Sequence, residues 1–179
     1  MRKVASIETA RFRLRPLQRI DAAALLPTLS DEAQCRYLTR PAFVSEEELW
    51  GWLSEPDWNG RTWIAQDASG DVAARLVAVP AHQSGVEEIG YITAMHRQRE
   101  GVARECSAAL IAHLFGLEIG QGGARKITAE VDTRNGASVA LLEALGFTRE
   151  GTFREHEETH TGMCDVHWYG LLKDQFAAK

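Results

Sequence analysis

Residues 88–119 read EIGYITAMHRQREGVARECSAALIAHLFGLEI, and this stretch decides the fold. Its first seven residues, 88–94, have the composition of a strand. From residue 102 the pattern becomes helical, because apolar residues recur at three- and four-residue spacing and form one stripe: Val102, Cys106, Ala109, Leu110, Leu114 and Leu117. The sequence therefore predicts a strand, a short turn and a helix over 102–119 that buries one face.

The turn between this strand and helix has the features of an anion site. A helix N-terminus leaves N–H groups unpaired and carries partial positive charge, and small residues there let a phosphate approach closely. Gly101 and Ala103 are small, and Arg97, Arg99 and Arg104 add positive charge. A plain strand-to-helix turn with surface arginines is the alternative. No G-x-x-x-x-G-K-[ST] occurs, and no G-x-G-x-x-G follows a strand, so the two common nucleotide motifs are absent.

The rest of the chain supplies strands and helices on either side of this unit. We predict strands at 7–15, 63–65, 74–79 and 127–132, a helix through 22–26 with Asp21 as its N-cap, a helix that begins at Ser45, a helix at 136–145, and a hairpin with arms 147–158 and 164–172. Helices inserted between strands imply an α/β (α+β) fold, a mixed sheet with helices on both faces. No linker or repeat interrupts residues 1–179, which are predicted to form a single domain.

Composition argues against several classes of protein. The 179 residues are 45% hydrophobic and 25% charged, as in ordinary globular domains. No stretch approaches the roughly 20 apolar residues of a membrane helix, and no secretory signal is expected, since residues 1–8 lack an apolar segment. A net charge of −5 disfavours nucleic acid as a partner. Three separated cysteines predict reduced thiols, and we expect a cytoplasmic protein.

A second segment carries a family resemblance. Asn135 is a good helix N-cap, and Ser138 falls in the first turn of that helix. Gln98-x-x-Gly101-x-Ala103, followed by Asn135-x-x-Ser138 and Gly146-Phe147, resembles the Gcn5-related N-acetyltransferase (GNAT) superfamily. Other motifs resemble its RimJ/RimL branch: residues 7–16 (IETARFRLRP), Ser45-Glu-Glu-Glu ahead of Trp52, Ile89-Gly-Tyr91 and Phe147-x-x-Glu150-Gly151. The resemblance extends from about residue 7 to about residue 172.

The resemblance implies a GNAT fold and acetyl-CoA as the acetyl donor. In that fold a mostly antiparallel mixed sheet splays between its middle strands, and the free backbone of the strand matching residues 91–95 holds the pantetheine arm. The turn after it binds the pyrophosphate. The cofactor-binding residues implied in this chain are Met95, His96, Arg97, Gln98, Arg99, Glu100, Gly101, Val102, Ala103, Arg104, Asn135 and Ser138, and no metal is implied.

The resemblance also suggests catalytic residues. Many superfamily members use a tyrosine seven residues after the asparagine as general acid, but this chain has Leu142 there. In the RimL-like pattern Ser138 bonds the leaving sulfur and Glu157 is the base. Glu155, two residues earlier, is expected on the same side of the sheet. His156 or His160 could supply the base instead, and some members show no essential base at all.

The acceptor has three candidate identities. The resemblance favours direct attack by a protein N-terminal α-amine in a ternary complex, as in ribosomal-protein-alanine acetyltransferases. A small amine (a polyamine, an amino acid or an antibiotic) is the first alternative, and a catalytically silent CoA-binding scaffold is the second. The N-terminal helices usually form one side of the acceptor cleft, and Arg75 either points to solvent or helps to define that pocket. A homodimer is a family-level expectation.

Overall fold

The computed structural model describes residues 4–118 and 120–177. Its strands are β1 (Ile7–Glu8), β2 (Phe12–Pro16), β3 (Arg61–Asp67), β4 (Val72–Pro80), β5 (Val86–Thr93), β6 (Lys126–Asp132), β7 (Thr148–Thr159) and β8 (Gly162–Leu172). Its helices are α1 (Asp21–Leu29), α2 (Glu32–Cys35), α3 (Glu46–Leu53), α4 (Val102–Gly116), α5 (Gly136–Leu145) and α6 (Lys173–Ala177), with a 3₁₀ turn at Met95–Arg97. The predicted alternation of strands and helices is confirmed.

The eight strands form one sheet in the order β1-β2-β3-β4-β5-β6-β8-β7. Neighbouring strands are antiparallel except β5 and β6, which run parallel. Residues 86–88 of β5 pair with 126–128 of β6, and the pairing ends there although both strands continue. The sheet therefore splays between β5 and β6, in its interior, as the resemblance implied.

Helices cover both faces of the sheet, as predicted. On one face α4 and α5 bury residues such as Leu110, Leu114 and Leu142 against Trp63 and Tyr169 of the sheet. On the other face α1 and α3 form a second core around Ile64, to which they contribute Leu25, Leu29, Leu49 and Leu53. Among the helices of residues 4–118 and 120–177, none has the length and apolarity to cross a membrane.

The N-terminal part of the chain departs from the predicted elements. The strand expected over 7–15 is a hairpin of β1 and β2, because the Thr9 N–H donates to the Phe12 carbonyl at 2.8 Å and turns the chain. Asp21 is not the cap of α1 but its first residue. Its buried carboxylate instead binds Arg15 at 2.7 Å. The short helices α2 and α6 were not predicted, since four or five residues are too few to show a helical period. Helix α4 ends at Gly116, before its predicted end at Ile119, which lies outside the described residues.

The C-terminal hairpin is irregular on one arm. Strands β7 and β8 pair as predicted, but between Phe153 and Glu157 three residues of β7 bulge against a single residue of β8. Glu155 lies in this bulge with φ of 45°, a left-handed conformation that is rare for a residue with a side chain. The strict two-residue alternation that would put Glu155 and Glu157 on one face of the sheet is therefore broken.

Candidate functional site

A cleft of about 770 Å³ opens where β5 and β6 separate. One wall is β5 with the first turn of α4, and the opposite wall is β6 with the start of α5. Residues of α1, α2 and α3 close the side that faces away from α4. The lining of this third side includes Thr28, Gln34, Tyr37, Leu38 and Trp52. The expectation that the N-terminal helices form one side of the cleft is confirmed.

The free edge of β5 provides backbone hydrogen-bonding groups along the cleft. Beyond Glu88 this edge has no strand partner in the part of the chain that the structure describes. Residues 89–93 nevertheless line the cleft in extended conformation. An unpaired strand edge can hold an extended, amide-containing ligand as it would hold another strand.

The first turn of α4 faces the same cleft and has unpaired N–H groups. Gly101 precedes the helix with φ of 76°, in the left-handed region, and no side chain caps the helix. Arg99 and Arg104 are exposed beside it and line the cleft, and neither forms a salt bridge with any described residue. Backbone N–H groups and free guanidinium groups together form a site suited to a phosphate.

Arg97 has a different role from its two neighbours. Its guanidinium binds Asp67 at 2.8 Å, Asp71 at 2.7 Å and Glu100 at 2.9 Å. These bonds raise the pKa of Arg97, and those to Arg97 and Ser69 lower the pKa of Asp67. From the sequence, Arg97 was expected to add positive charge for an anion. In the structure its charge is already neutralised, so it braces the turn.

Most of the residues predicted to bind the cofactor lie together. Those that line the cleft are Arg97, Gln98, Arg99, Gly101, Val102, Ala103, Arg104, Asn135 and Ser138. Met95, His96 and Glu100 are absent from that lining. The Met95 N–H donates to Thr28, His96 pairs with Asp71, and Glu100 binds Arg97. These three contacts support the turn from behind.

The start of α5 holds the predicted sulfur-binding residue. The Asn135 side chain accepts a hydrogen bond from the Ser138 N–H at 3.1 Å, which is an N-cap. The Tyr91 hydroxyl, which sequence reasoning did not select, lies 3.5 Å from the Ser138 carbonyl oxygen across the cleft. Burial raises the pKa of Tyr91, so the phenol carries its proton at neutral pH. Leu142 is fully buried in the core, so no acid group stands at that position.

Three carboxylates lie close together on the side of the sheet that carries α1 and α3. Burial, with the nearby charges of Glu130 and Glu157, raises the pKa of Glu88 to about 7. Burial and Glu157 also raise the pKa of Glu130, which His156 lowers in part. Of the three, only Glu130 lines the cleft, and neither Glu88 nor the predicted base Glu157 is part of the lining. The sequence showed Glu130 on the polar face of its strand, but which strand lies beside β6 is decided by the fold.

The remaining candidate bases are placed differently. Glu155 is exposed in the bulge of β7. His156 packs against Phe153, with ring centroids 5.0 Å apart. The ring of His160 bonds to the Leu38 carbonyl oxygen at 2.9 Å, so it ties the hairpin to the N-terminal helices. Of the four groups considered at the sequence level, only Glu157 and His156 affect the charge of a carboxylate in the cleft.

Arg75 settles a question that the sequence left open. It is 7% exposed, lines the cleft from β4, and is not turned to solvent. Its guanidinium lies over the ring of Trp52 at 4.6 Å and over that of Trp58 at 5.7 Å. Burial lowers the pKa of Arg75 to about 10, so it remains charged at neutral pH.

The geometry combines a phosphate site, a free strand edge, hydroxyl donors and a near-neutral carboxylate. This combination suits transfer of an acyl group from a long, phosphate-bearing carrier to a nucleophile that must lose a proton. Among the described residues, no three histidine, cysteine, aspartate or glutamate side chains are grouped as metal ligands would be.

A sequence comparison identifies the family. The family model described as "Acetyltransferase (GNAT) domain" matches residues 11–148 of the chain. This match extends from β2 to the first residue of β7, so it includes both walls of the cleft.

Individual proteins are similar over most of their length. The uncharacterized N-acetyltransferase p20 of Bacillus licheniformis is 25% identical over 96% of this chain and 98% of its own. Phosphinothricin N-acetyltransferase of Streptomyces viridochromogenes is 28% identical over 86% and 83%. The crystal structure of spermidine N-acetyltransferase from Vibrio cholerae, in complex with CoA and spermine, superposes with a TM-score of 0.78. It is 21% identical, and the alignment covers 94% of this chain and 99% of that one.

Proposed function

The chain belongs to the acetyltransferase (GNAT) family, and on that premise we propose that its acceptor is an α-amino group. The protein is an N-acetyltransferase, which moves an acetyl group to an amine, and acetyltransferases of this family use acetyl-CoA. The first candidate acceptor is the N-terminal amine of a protein, which the RimJ/RimL-like motifs favour. The second is the amine of a small molecule.

The observation that carries the proposal is the group of three carboxylates beside the splay, Glu88, Glu130 and Glu157, of which Glu130 lines the cleft. An attacking amine must be neutral, and an α-amino group, with a pKa of about 7.7–8.0, loses its proton far more readily than a lysine at about 10.4. Burial raises the pKa of Glu88 to about 7 and also raises the pKa of Glu130, which suits the group to this task because a base works best when its pKa lies near the operating pH.

The cluster acts as one proton acceptor. Glu130 and Glu157 both raise the pKa of Glu88, and Glu157 also raises the pKa of Glu130, so the charge on one carboxylate favours a proton on its neighbour. Glu130 faces the cleft and receives the proton from the amine, directly or through a water molecule. Glu157, the base predicted from the sequence, keeps the pKa of the other two high.

The opposite side of the cleft serves the leaving group. Ser138 is the predicted donor to the sulfur, and the Tyr91 phenol beside it is a second donor that is protonated at neutral pH. A hydrogen bond to a developing thiolate stabilises it, as donors aimed at developing charge do in general. We expect direct attack by the amine in a ternary complex, as the resemblance implies.

The residues present fit acetyl-CoA. It supplies the acetyl group as a thioester. The N–H groups of the first turn of α4, with Arg99 and Arg104, would hold the pyrophosphate, and the edge of β5 would hold the amides of the pantetheine arm. The unpaired N–H groups and the arginines without acidic partners support this assignment.

A small-molecule acceptor is favoured by the closed side of the cleft. The Tyr37 hydroxyl donates to the Arg134 carbonyl at 3.2 Å, and Gln98 donates to Gln34 at 2.6 Å. Together with the bond between His160 and Leu38, these contacts join the N-terminal helices to both walls. A peptide chain would have to pass between them. The relatives named for phosphinothricin and spermidine act on small amines by their names, which supports the same class here.

The test is thiol release from acetyl-CoA across a panel of acceptors. The panel pairs peptides with free N-termini against N-blocked, lysine-containing versions, and adds free amino acids, phosphinothricin, spermidine and an aminoglycoside. We expect turnover with α-amines and little with the N-blocked peptides. Turnover confined to lysine side chains or polyamines would contradict the proposal.

Variants of the cluster separate an enzyme from a silent scaffold. Glu130→Gln and Ser138→Ala should lower kcat by about tenfold or more, since positioned acid–base groups contribute roughly 10²–10⁴-fold. Glu157→Gln should also lower kcat, because Glu157 raises the pKa of Glu130. Glu158→Gln, on the exposed neighbour of Glu157, is the matched control and should retain full activity. A scaffold would bind acetyl-CoA without turnover, and these changes would have no effect on that binding.

A further inference from the structure

Arg75 is a buried cation without a partner among the described residues. It lies on the side of the cleft that α1 and α3 cover, which we call the acceptor side. No described residue forms a salt bridge or a hydrogen bond with its guanidinium, and its Nε is fully buried and unsatisfied. Buried charges in folded proteins are almost always paired, because burial of an isolated charge is costly. The other buried arginine, Arg61, follows this rule and binds Glu87 at 3.0 Å. The missing partner of Arg75 therefore calls for an explanation.

The tryptophans around Arg75 hold it without using its hydrogen-bonding capacity. Trp52 and Trp58 each present a ring to the guanidinium, which is attracted to the faces of aromatic rings. Such contacts leave the N–H groups at the edge of the guanidinium plane available. Those groups form a fork that matches the two oxygens of a carboxylate or a similar anion.

Arg75 and the carboxylate cluster lie on the same face of the sheet. Arg75 pairs with Ile92 across β4 and β5, and Ile92 shares a face with Gly90 and Glu88 by the alternation of a strand. Glu88 is four residues from Ile92, or roughly 13 Å along the strand. The acceptor side thus has carboxylates at one end and an unpaired cation at the other, with long side chains on both.

We propose that the acceptor is a small amine that also carries an anionic oxygen group, such as a free amino acid, and that Arg75 binds this group. The inference rests on the proposed acetylation of an α-amine and selects the small-molecule candidate. The amine lies toward Glu88 and Glu130, and the carboxylate or related anion forms a bidentate pair with Arg75. A polyamine, which has only cationic groups, would leave Arg75 unpaired.

The test compares each acceptor as an acid and as its carboxamide, with kcat/KM expressed per concentration of neutral amine because amidation also lowers the pKa of the amine. Leucine, phenylalanine, glutamate, β-alanine and γ-aminobutyrate are assayed beside the carboxamide of each, with spermidine as a purely cationic probe. At least one acid should exceed its amide in kcat/KM by about tenfold or more, the value of one charge-assisted hydrogen bond. The last two acids vary the distance between amine and carboxylate.

Substitutions at Arg75 assign the effect to this residue. Arg75→Met should lower kcat/KM for the acids to about that of their amides, and Arg75→Lys should restore part of the preference. Arg19→Met is the matched control, because Arg19 also lies over a tryptophan, Trp50, but pairs with Glu46 outside the cleft. If Arg75 only braced the tryptophans, Arg75→Met would lower the melting temperature and reduce kcat/KM for acids and amides alike, which would overturn the proposal.

A binding measurement keeps the inference independent of turnover. The probes are 4-methylpentanoate and 3-phenylpropionate, acids without an amine, and their amides, titrated into the CoA-saturated protein by tryptophan fluorescence. The acids should change the fluorescence in the original protein and not in Arg75→Met, whereas the amides should have little effect. If no acceptor turns over but the acids bind in this way, the acetylation proposal fails and the anion site stands. If the protein does not distinguish the acids from their amides in either assay, the proposed anion site is wrong.

Discussion

At the scale of single residues, burial and neighbouring charge decide which carboxylate can work near neutral pH. Glu88 and Glu158 are the same residue type on adjacent parts of the fold, yet only Glu88 is surrounded by other carboxylates and partly removed from water. Its pKa of about 7 lies above that of the unfolded chain. The folded protein therefore favours the protonated form of Glu88 more strongly than the unfolded chain does.

This linkage gives Glu88 a measurable signature in stability. Because the folded pKa is raised, the contribution of Glu88 is complete below the unfolded value near pH 4.5 and is lost as the pH rises through about 7. At pH 8.5, Glu88→Gln should increase the free energy of unfolding by about 1 to 2 kcal/mol after allowance for partial exposure, and the melting temperature should rise accordingly. At pH 5 the same substitution should have a smaller effect. Thermal unfolding at both pH values checks this.

The control for Glu88→Gln is Glu158→Gln, which should show no such difference between the two pH values. If the Glu88→Gln protein is less stable than the original at pH 8.5, the ionised carboxylate of Glu88 stabilises the folded protein. The carboxylate cluster would then not be the near-neutral base.

At the scale of elements, the turn into α4 depends on one backbone conformation. Gly101 has φ of 76°, which only glycine adopts without strain, and a Cβ there would lie 3.6 Å from Arg11, so space is not the obstacle. Gly101→Ala should therefore cost about 1 kcal/mol through strain and tilt the unpaired N–H groups of the first turn. We expect CoA affinity to fall by about tenfold, since one such bond to a charged group is worth 1.5–3 kcal/mol.

Gly116, at the other end of the same helix, is the matched control. A Cβ there meets nothing within 4 Å, and its φ is not positive. Gly116→Ala should be neutral or slightly stabilising and should leave CoA binding unchanged, as measured by calorimetry. Equal losses of CoA affinity in both variants would show that the helix as a whole, rather than its N-terminal turn, responds to added side chains.

Elements were predictable in proportion to their length. The stripe of α4 and the two arms of the hairpin extend over enough residues for their periods to be read, and they are present as predicted. Helix α2 has four residues, so no period could appear, although Asp31 caps it through the Gln34 N–H at 3.0 Å. The bulge in β7 was not predicted either, because nothing in the local composition marks Glu155 as left-handed.

At the scale of the whole molecule, the two halves of the sheet are joined weakly. Strands β5 and β6 share only three register pairs, and the rest of the junction is the core beneath α4. A ligand that fills the cleft contacts both halves and binds the folded state alone. CoA at about 100 times its dissociation constant should therefore add about 2.7 kcal/mol of stability, or roughly 5–11 °C in melting temperature for a chain of this size.

Thermal unfolding with increasing CoA checks this expectation, and Gly101→Ala should shift the whole curve to higher CoA concentration. A melting temperature that is independent of CoA would contradict the assignment of the cleft as the acetyl-CoA site. Adenosine alone, which lacks both the pyrophosphate and the pantetheine arm, should stabilise the protein much less.

The sequence by itself determined the succession of elements, the glycine turn with its arginines and the family resemblance, since each depends on residues that are neighbours in the chain. It could not show that Glu88, Glu130 and Glu157 meet, that Arg97 is neutralised by Asp67 and Asp71, or that Arg75 lies unpaired between two tryptophans. These facts depend on which strands lie side by side and which faces the helices cover. Charge and burial at a position are set by residues distant in sequence, so the acceptor side of the site was decided only by the tertiary structure.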